Sequence, residues 1–233
     1  MSPDIFAYIP ARGGSSRVPR KNIKPLGGVP ILARVIANLK AGGIANVAVS
    51  SDDAEILDVA TKAGAVTLAP RAAALSDAAS GFRELVREDL PRFTAYFGCE
   101  HVLFGLATAA LVEGDLYAQA VNRYFQRRPA MMMAVTSYPI SPFWALVQKP
   151  DGSGWAPLFA QESRLPSQQH PRTCVEAGLF FCMDVARCRH LPALMEADPL
   201  DVFEVPADVA VDVDTDEDWA ELERRFNARA ANR

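Results

Sequence analysis

The run Ala11-Arg-Gly-Gly-Ser-Ser-Arg-Val-Pro-Arg-Lys-Asn22 follows a short apolar stretch and carries the chemistry of an anion site. Gly13 and Gly14 let the backbone take unusual dihedrals and approach a ligand, and Ser15 and Ser16 add hydroxyl donors. Arg12, Arg17, Arg20 and Lys21 place four cations within ten residues, a set that suits a triphosphate. The run is not a Walker loop, since no Gly-Lys-Ser/Thr follows, and not a dinucleotide fingerprint, since Gly13-Gly14 does not continue into Gly-x-x-Gly. A solvated basic loop is the plain alternative. Against it stands an apolar strand entering a Gly-Gly turn with four cations, in a chain of net charge −4.

A second chemical pattern lies in Val209-Ala-Val-Asp-Val-Asp-Thr-Asp-Glu-Asp218. Asp212 and Asp214 are two apart in a strand-like run, and strand alternation points both carboxylates to one face. Magnesium takes one or two protein carboxylates together with waters and phosphate oxygens, so this pair could hold Mg2+ against a triphosphate seated in the first loop. The simpler role is that Asp214 or Thr215 caps the last helix, with Asp216, Glu217 and Asp218 favoured at its N-terminal end. That role leaves Asp212 unexplained, because a carboxylate between Val211 and Val213 in a buried strand needs a partner.

The elements that must position these groups alternate strand-like and amphipathic runs over the first 135 or so residues, the pattern of a doubly wound α/β domain with a mostly parallel sheet. Ile5 to Ile9 reads as a buried strand ended by Pro10, and Pro30 opens a helix that stops at Gly42-Gly43. Asn46 to Ser50 is the next strand, Asp52-Asp53-Ala54-Glu55 opens a helix through about Ala63, and Ala65 to Ala69 returns as a strand. Ser76-Asp77 caps a helix to about Phe97, followed by a strand from His101 to Ala107, a helix from Gly114 to Arg128 and a strand from Met131 to Thr136. The rhythm breaks at residues 138–172, where six prolines and short apolar runs predict an inserted arm or hairpin within the single domain of residues 1–233. Its Phe143, Trp144, Trp155 and Phe159 either pack on a second subunit, giving a homodimer, or fold back on their own domain. Beyond the arm, a strand from Val175 to Met183, a helix from about Asp184 to Met195, a strand near Val202 to Val205, the run Val209 to Val213 and a helix from Thr215 complete the pattern.

Composition bounds the function. Of 233 residues, 50% are hydrophobic and 22% charged, which fits a folded domain and excludes a disordered or low-complexity chain. The acidic balance gives no basic nucleic-acid or membrane-surface binder. Four cysteines with no C-x-x-C pair and three histidines lack the ligand spacing of a structural zinc site. No basic leader and no apolar run of membrane-spanning length is visible, so the expected compartment is the cytoplasm.

Taken with its neighbours, the first loop resembles the opening of the acylneuraminate cytidylyltransferases, the CMP-sialic acid synthetase family. That opening reads I-P-A-R-x-G-S-K-x-[IL]-P-x-K-N-I-x-x-[LF]-x-G-x-P, and Ile9-Pro10-Ala11-Arg12, Gly14-Ser15, Pro19, Lys21-Asn22-Ile23, Gly28 and Pro30 match it. Val49-Ser-Ser-Asp-Asp-Ala-Glu-Ile56 is similar to the family's V-S-T-D-D-x-x-I, and Arg71 with Leu75-Ser76-Asp77 and Ser80-Gly81 is similar to its R-P-x-x-L-S-x-D segment. Glu176-Ala-Gly-Leu-Phe-Phe181 resembles E-N-G-A-[FI]-Y, and the Asp212 run resembles D-[IV]-D-T. The resemblance covers nearly the whole chain. It implies a Rossmann-like sheet, CTP as nucleotide, a nonulosonic acid as acceptor and a CMP-sugar for surface glycans as product. It implies that Ala11, Arg12, Gly13, Gly14, Ser15, Lys21, Asn22, Arg71 and Ser80 surround the nucleotide. Arg12 and Lys21 would act in catalysis with the metal-binding Asp212 and Asp214, and Leu106, Thr108, Glu176, Phe180 and Phe181 would line the sugar. Without the resemblance, Arg71 reads as a surface arginine and Phe180 and Phe181 as core.

Two departures bear on the acceptor and the phosphates. Ser16 stands where the family often has lysine, with Arg17 or Arg20 as substitutes. Phe104-Gly-Leu-Ala-Thr-Ala-Ala-Leu111 replaces Q-P-T-S-P-L, putting Leu106 where a sugar-contacting glutamine would sit, and is nearer the A-T-A-P-[FY] of the pseudaminic acid branch. An apolar Leu106 suits a sugar with a deoxy carbon or methyl group. The rival readings are a nucleotidyltransferase for another acceptor and a catalytically silent nucleotide-binding homologue.

Overall fold

The computed structural model describes residues 4–15, 17–76, 81–138 and 140–231. Strand β1 (Phe6–Pro10) is apolar and buried on both faces, as a central parallel strand must be. A loop and a 3-10 turn at Lys21–Ile23 lead through the small pair β2 (Pro25–Leu26) and β3 (Val29–Pro30) into α1 (Ile31–Ala41). Ile31, Leu32, Val35, Ile36 and Leu39 form the buried stripe of α1, and Gly43, at φ +86°, makes the turn after it.

Next come β4 (Val47–Ser50), α2 (Ala54–Lys62) and β5 (Val66–Thr67). The helix expected to start at Ser76 instead follows a 3-10 turn at Ala73–Leu75. It is wound as α3 (Phe82–Glu84), a π-helical turn over Leu85–Asp89 and α4 (Leu90–Phe97). Pro91 has no N–H to give to the preceding turn and its ring would crowd the carbonyl four residues back, which a widened turn relieves. Then follow β6 (His101–Gly105), α5 (Gly114–Arg127) and β7 (Met131–Thr136).

After β7 the chain leaves the main sheet. A 3-10 turn (Pro142–Trp144), the antiparallel hairpin β8 (Leu146–Gln148) and β9 (Trp155–Pro157), and two further 3-10 turns make up the arm. Phe143 is buried against Phe159 and His170, with ring centres 5.3 and 5.1 Å away. Trp144, Leu146, Trp155 and Leu158 are exposed. The chain returns as β10 (Val175–Asp184), α6 (Val185–Cys188), β11 (Leu200–Glu204) and α7 (Asp216–Ala231). The helix expected to Met195 ends at Cys188, before Pro192, and resumes as a 3-10 turn at Leu194–Glu196.

Among the described residues the main sheet has seven strands in the order β11-β7-β10-β6-β1-β4-β5. Neighbours pair in parallel except β10, which runs antiparallel to both β6 and β7. The architecture is therefore α/β with a mostly parallel sheet, and alternation along β1 feeds both faces. Ala7 and Ile9 join the core under α1 and α5, and Phe6 and Tyr8 join the one under α4.

One expected strand is missing. Residues 209–213 pair with no strand, so Asp212 and Asp214 project from an irregular segment. The alternation survives there, because Val209, Val211 and Val213 plug the core while Asp212 is left exposed, contrary to the buried strand position expected of it.

Candidate functional site

The carboxyl ends of β1, β4 and β6 open on the same sheet edge, the edge at which open parallel sheets take ligands. Because β10 runs the other way, its opening residues reach that edge too. Between Glu176 and Phe181 its pairing register slips, and Gly178 there has φ +64°. A Cβ on Gly178 would come within 3.0 Å of the Asp212 side chain, so only glycine lets the 209–214 segment close against β10.

Together these segments enclose a cavity of about 470 Å3. Arg12, Ser15, Arg17, Lys21 and Asn22 line it from the first loop, Arg71 from beyond β5, Leu106 and Thr108 from beyond β6, and Glu176, Asp212 and Asp214 from the C-terminal half. Leu75, from the Arg71 motif, adds apolar lining together with Phe82 and Leu85, which were not among the sequence candidates. Phe82 and Leu85 are legible in the sequence only as helix residues, with no chemistry to mark them.

Among the described residues, the remaining sequence candidates do not line the cavity. Ala11 is fully buried, and its N–H donates to the Ser50 carbonyl at 2.9 Å, prolonging the β1–β4 ladder. Gly13 and Gly14 belong to the loop but do not line the cavity. Ser80 lies outside the described residues. Phe180 and Phe181 are core residues, which corrects their assignment to the sugar. Phe180 packs on Tyr117 and Phe203, while Phe181 stacks on Phe104 at 4.6 Å. Both follow the register slip in the regular part of β10, flanked by β6 and β7.

The electrostatics are set by a few side chains of the first loop, Arg71 and the acidic segment. The Arg71 side chain is 2% exposed; its Nε donates to Ser76 Oγ at 3.0 Å and its backbone N–H to the Ser51 carbonyl at 2.8 Å, so it is no surface arginine. Lys21 Nζ donates to the Val213 carbonyl and lies 3.4 Å from Asp214 Oδ1, while the Arg17 guanidinium is 3.0 Å from Asp214 Oδ2. The basic loop and the acidic segment thus meet at Asp214. Asp212 is open to the cavity, yet partial desolvation by the cavity walls raises its carboxyl above the usual range; the Asp214 charge adds to this and Lys21 opposes it. Partial desolvation in the same cavity raises Glu176, with the Asp212 charge contributing. Asn22 Nδ2 donates to the Arg12 carbonyl at 2.9 Å and staples the loop. Arg20, counted among the phosphate cations on sequence grounds, turns away from the cavity to Asp53 and Glu55.

Cations beside a cleft at the ligand edge favour a polyanion. Asp212 and Asp214, both lining the cavity, form a donor pair of the type magnesium takes beside phosphate oxygens, and the mutual repulsion felt by Asp212 would be relieved by a shared cation.

Comparison with known proteins agrees with this chemistry. A family model described as cytidylyltransferase matches residues 6–136. A pseudaminic acid cytidylyltransferase of Campylobacter jejuni is 31% identical over 97% of this chain and 98% of its own. N-acylneuraminate cytidylyltransferase B of Danio rerio is 28% identical over 94% of this chain and 50% of its own length. Among solved structures, a CMP:2-keto-3-deoxy-manno-octonic acid synthetase complexed with CTP superposes with a TM-score of 0.68 at 17% identity, covering 97% of this chain and 99% of that one.

Proposed function

Because the chain belongs to the cytidylyltransferase family, we propose that it transfers CMP from CTP to a nonulosonic acid of the pseudaminic or sialic type, releasing pyrophosphate. The observation that carries this reading is one cavity joining the cationic loop to the Asp212–Asp214 pair, in a chain similar over 97% of its length to a pseudaminic acid cytidylyltransferase. In the transfer, a sugar hydroxyl oxygen bonds to the α-phosphorus, the bond to the pyrophosphate oxygen breaks, and the hydroxyl proton is lost. Positioning and charge neutralisation supply most of the rate in such a reaction.

Arg12, Lys21 and Ser15 would hold the phosphates, Asn22 would keep the loop in shape, and buried Arg71 would meet the nucleotide. Asp212 and Asp214 would hold Mg2+, which when bound neutralises phosphate charge and favours departure of pyrophosphate. Leu106, Thr108 and Glu176 would face the acceptor. Leu106, joined by Leu75, Phe82 and Leu85, favours a sugar acid that presents a methyl or deoxy carbon.

The exposed Trp144, Leu146, Trp155 and Leu158 of the arm form an apolar surface of the kind that subunits cover, and we assign it to a homodimer contact. Among the described residues no helix is long and apolar enough to cross a membrane, and we assign the enzyme to the cytoplasm, where CTP is made.

The test is magnesium-dependent pyrophosphate release from CTP, with UTP, ATP and GTP as controls, across pseudaminic, legionaminic, N-acetylneuraminic and shorter ulosonic acids. Release with CTP and a nine-carbon acid is expected. Release with only a shorter acid, or with none, would refute the proposal. Arg71→Ala should weaken CTP binding by about tenfold or more, the loss expected when a charged hydrogen-bond donor is removed; unchanged affinity by calorimetry would take Arg71 out of the nucleotide site.

A further inference from the structure

The stretch Val49-Ser-Ser-Asp-Asp-Ala-Glu-Ile56 has no part in the chemistry above, yet its adjacent carboxylates grip the phosphate loop at both ends. Asp52 Oδ1 accepts the Gly13 N–H at 3.0 Å and stands 3.9 Å from the Arg71 guanidinium. Asp53 takes the Arg20 guanidinium on both oxygens, at 2.5 and 3.4 Å, and Glu55 takes the same group. The Arg20 guanidinium holds the Asp53 carboxyl below the usual carboxylate range. Meanwhile Asp53 Oδ1 caps α2 by accepting the N–H groups of Glu55 and Ile56 at 2.9 and 3.1 Å.

The backbone is fitted to this grip. A Cβ on Gly13 would lie 2.7 Å from Asp53 Oδ2, so the start of the loop rests on that carboxylate. At the other end Arg20 sits at φ +56°, a left-handed conformation that a non-glycine residue keeps only where its surroundings hold it. Acids close to a polyphosphate seat oppose binding unless their charge is met. Here Arg20 meets Asp53 and Arg71 lies within reach of Asp52, so the two acids shape the loop while the Arg20 cation is withdrawn from the cavity.

We propose that Asp52 and Asp53 are positioning residues for the nucleotide. Asp52 would fix the Gly13 end of the loop and tie it to Arg71, and Asp53 would fix the Arg20 end, so that Arg12, Ser15 and Lys21 are pre-set for the phosphates. The inference rests on the CTP reading above. It adds two acids and one arginine that act on binding without touching the ligand.

Asparagine caps a helix as well as aspartate, so Asp53→Asn keeps the α2 cap and removes only the charge that holds Arg20. Its melting temperature should match wild type. Its Kd for CTP by calorimetry should rise about tenfold, the size of a typical coupled pair, with KM for CTP rising alike and kcat changing less than about threefold. Arg20→Met should reproduce the change, and the double variant should bind no worse than either single one. Asp52→Ala should weaken CTP binding, and Asp52→Asn, which retains an acceptor for the Gly13 N–H, should recover part of the loss. Wild-type CTP affinity in Asp53→Asn, additive losses in the double variant, or Asp52→Asn no better than Asp52→Ala would overturn the inference. A wild-type chain that binds no CTP would instead overturn the functional reading on which it stands.

Discussion

Asp212 and Asp214 are the residues on which the proposed chemistry depends most, and removing one charge while keeping the shape of the side chain tests them cleanly. Asp212→Asn and Asp214→Asn should each lower kcat at least a hundredfold, the scale on which loss of a charge-stabilising group acts, and leave the urea midpoint close to wild type. Steady-state pyrophosphate assays and denaturation curves would check this, and wild-type rates in both would remove the metal site. Gly178→Ala should cost about 1–3 kcal/mol of stability, through its positive φ and its contact with Asp212, read from chemical denaturation. At this scale the first loop and the aspartate pair were legible from residue type and spacing alone. Arg71 was not, because nothing in its neighbours marks the turn that buries it against Ser51 and Ser76. The fate of Arg20 was hidden for a related reason: its partners lie some 33 residues away, beyond the reach of local pattern.

Strands β1, β6, β7 and β10 and helix α5 follow the apolar periodicity within a residue or two, since each buries its pattern against the sheet. The irregular elements escaped for identifiable causes: Pro91 beside the π-helical turn, Pro192 beyond α6, and the valines at 209, 211 and 213, whose alternation serves packing without a ladder. The π-helical turn carries Asp89, which is 1% exposed, accepts the Tyr8 hydroxyl at 2.5 Å and lies 3.3 Å from Arg92. This joins the turn to β1 beneath the start of the phosphate loop. Tyr8→Phe should cost about 1–3 kcal/mol by leaving a buried carboxylate short of a donor, measured by urea unfolding. Burial, and then the Asp89 charge, raise the Tyr8 hydroxyl above its ordinary value of 10.0, so the folded state holds that proton more tightly than the unfolded chain does. The corresponding stability is complete below that value and is lost as pH rises beyond it. The Phe variant should therefore show a flatter alkaline decline than wild type.

For the molecule as a whole, the arm predicts association. Sedimentation velocity should give a dimer for wild type, and Trp155→Asp, at a side chain 64% exposed, should shift it toward monomer with little change in the melting of the monomeric fold. A wild-type monomer at micromolar concentration would leave the arm without that role. The sheet order carries a different consequence. Strands β6 and β7 are neighbours in sequence, yet β10 lies between them and comes some forty residues later. During synthesis, therefore, a chain that has made β7 but not β10 holds two apolar strands with open ladder edges and nothing of its own to fill the gap. Such edges recruit strands from other chains. A fragment ending before Val175 should accordingly accumulate in the insoluble fraction, whereas the full chain should not. The strand that brings Glu176 and Gly178 to the cavity is thus also the one that seals the nascent sheet against aggregation.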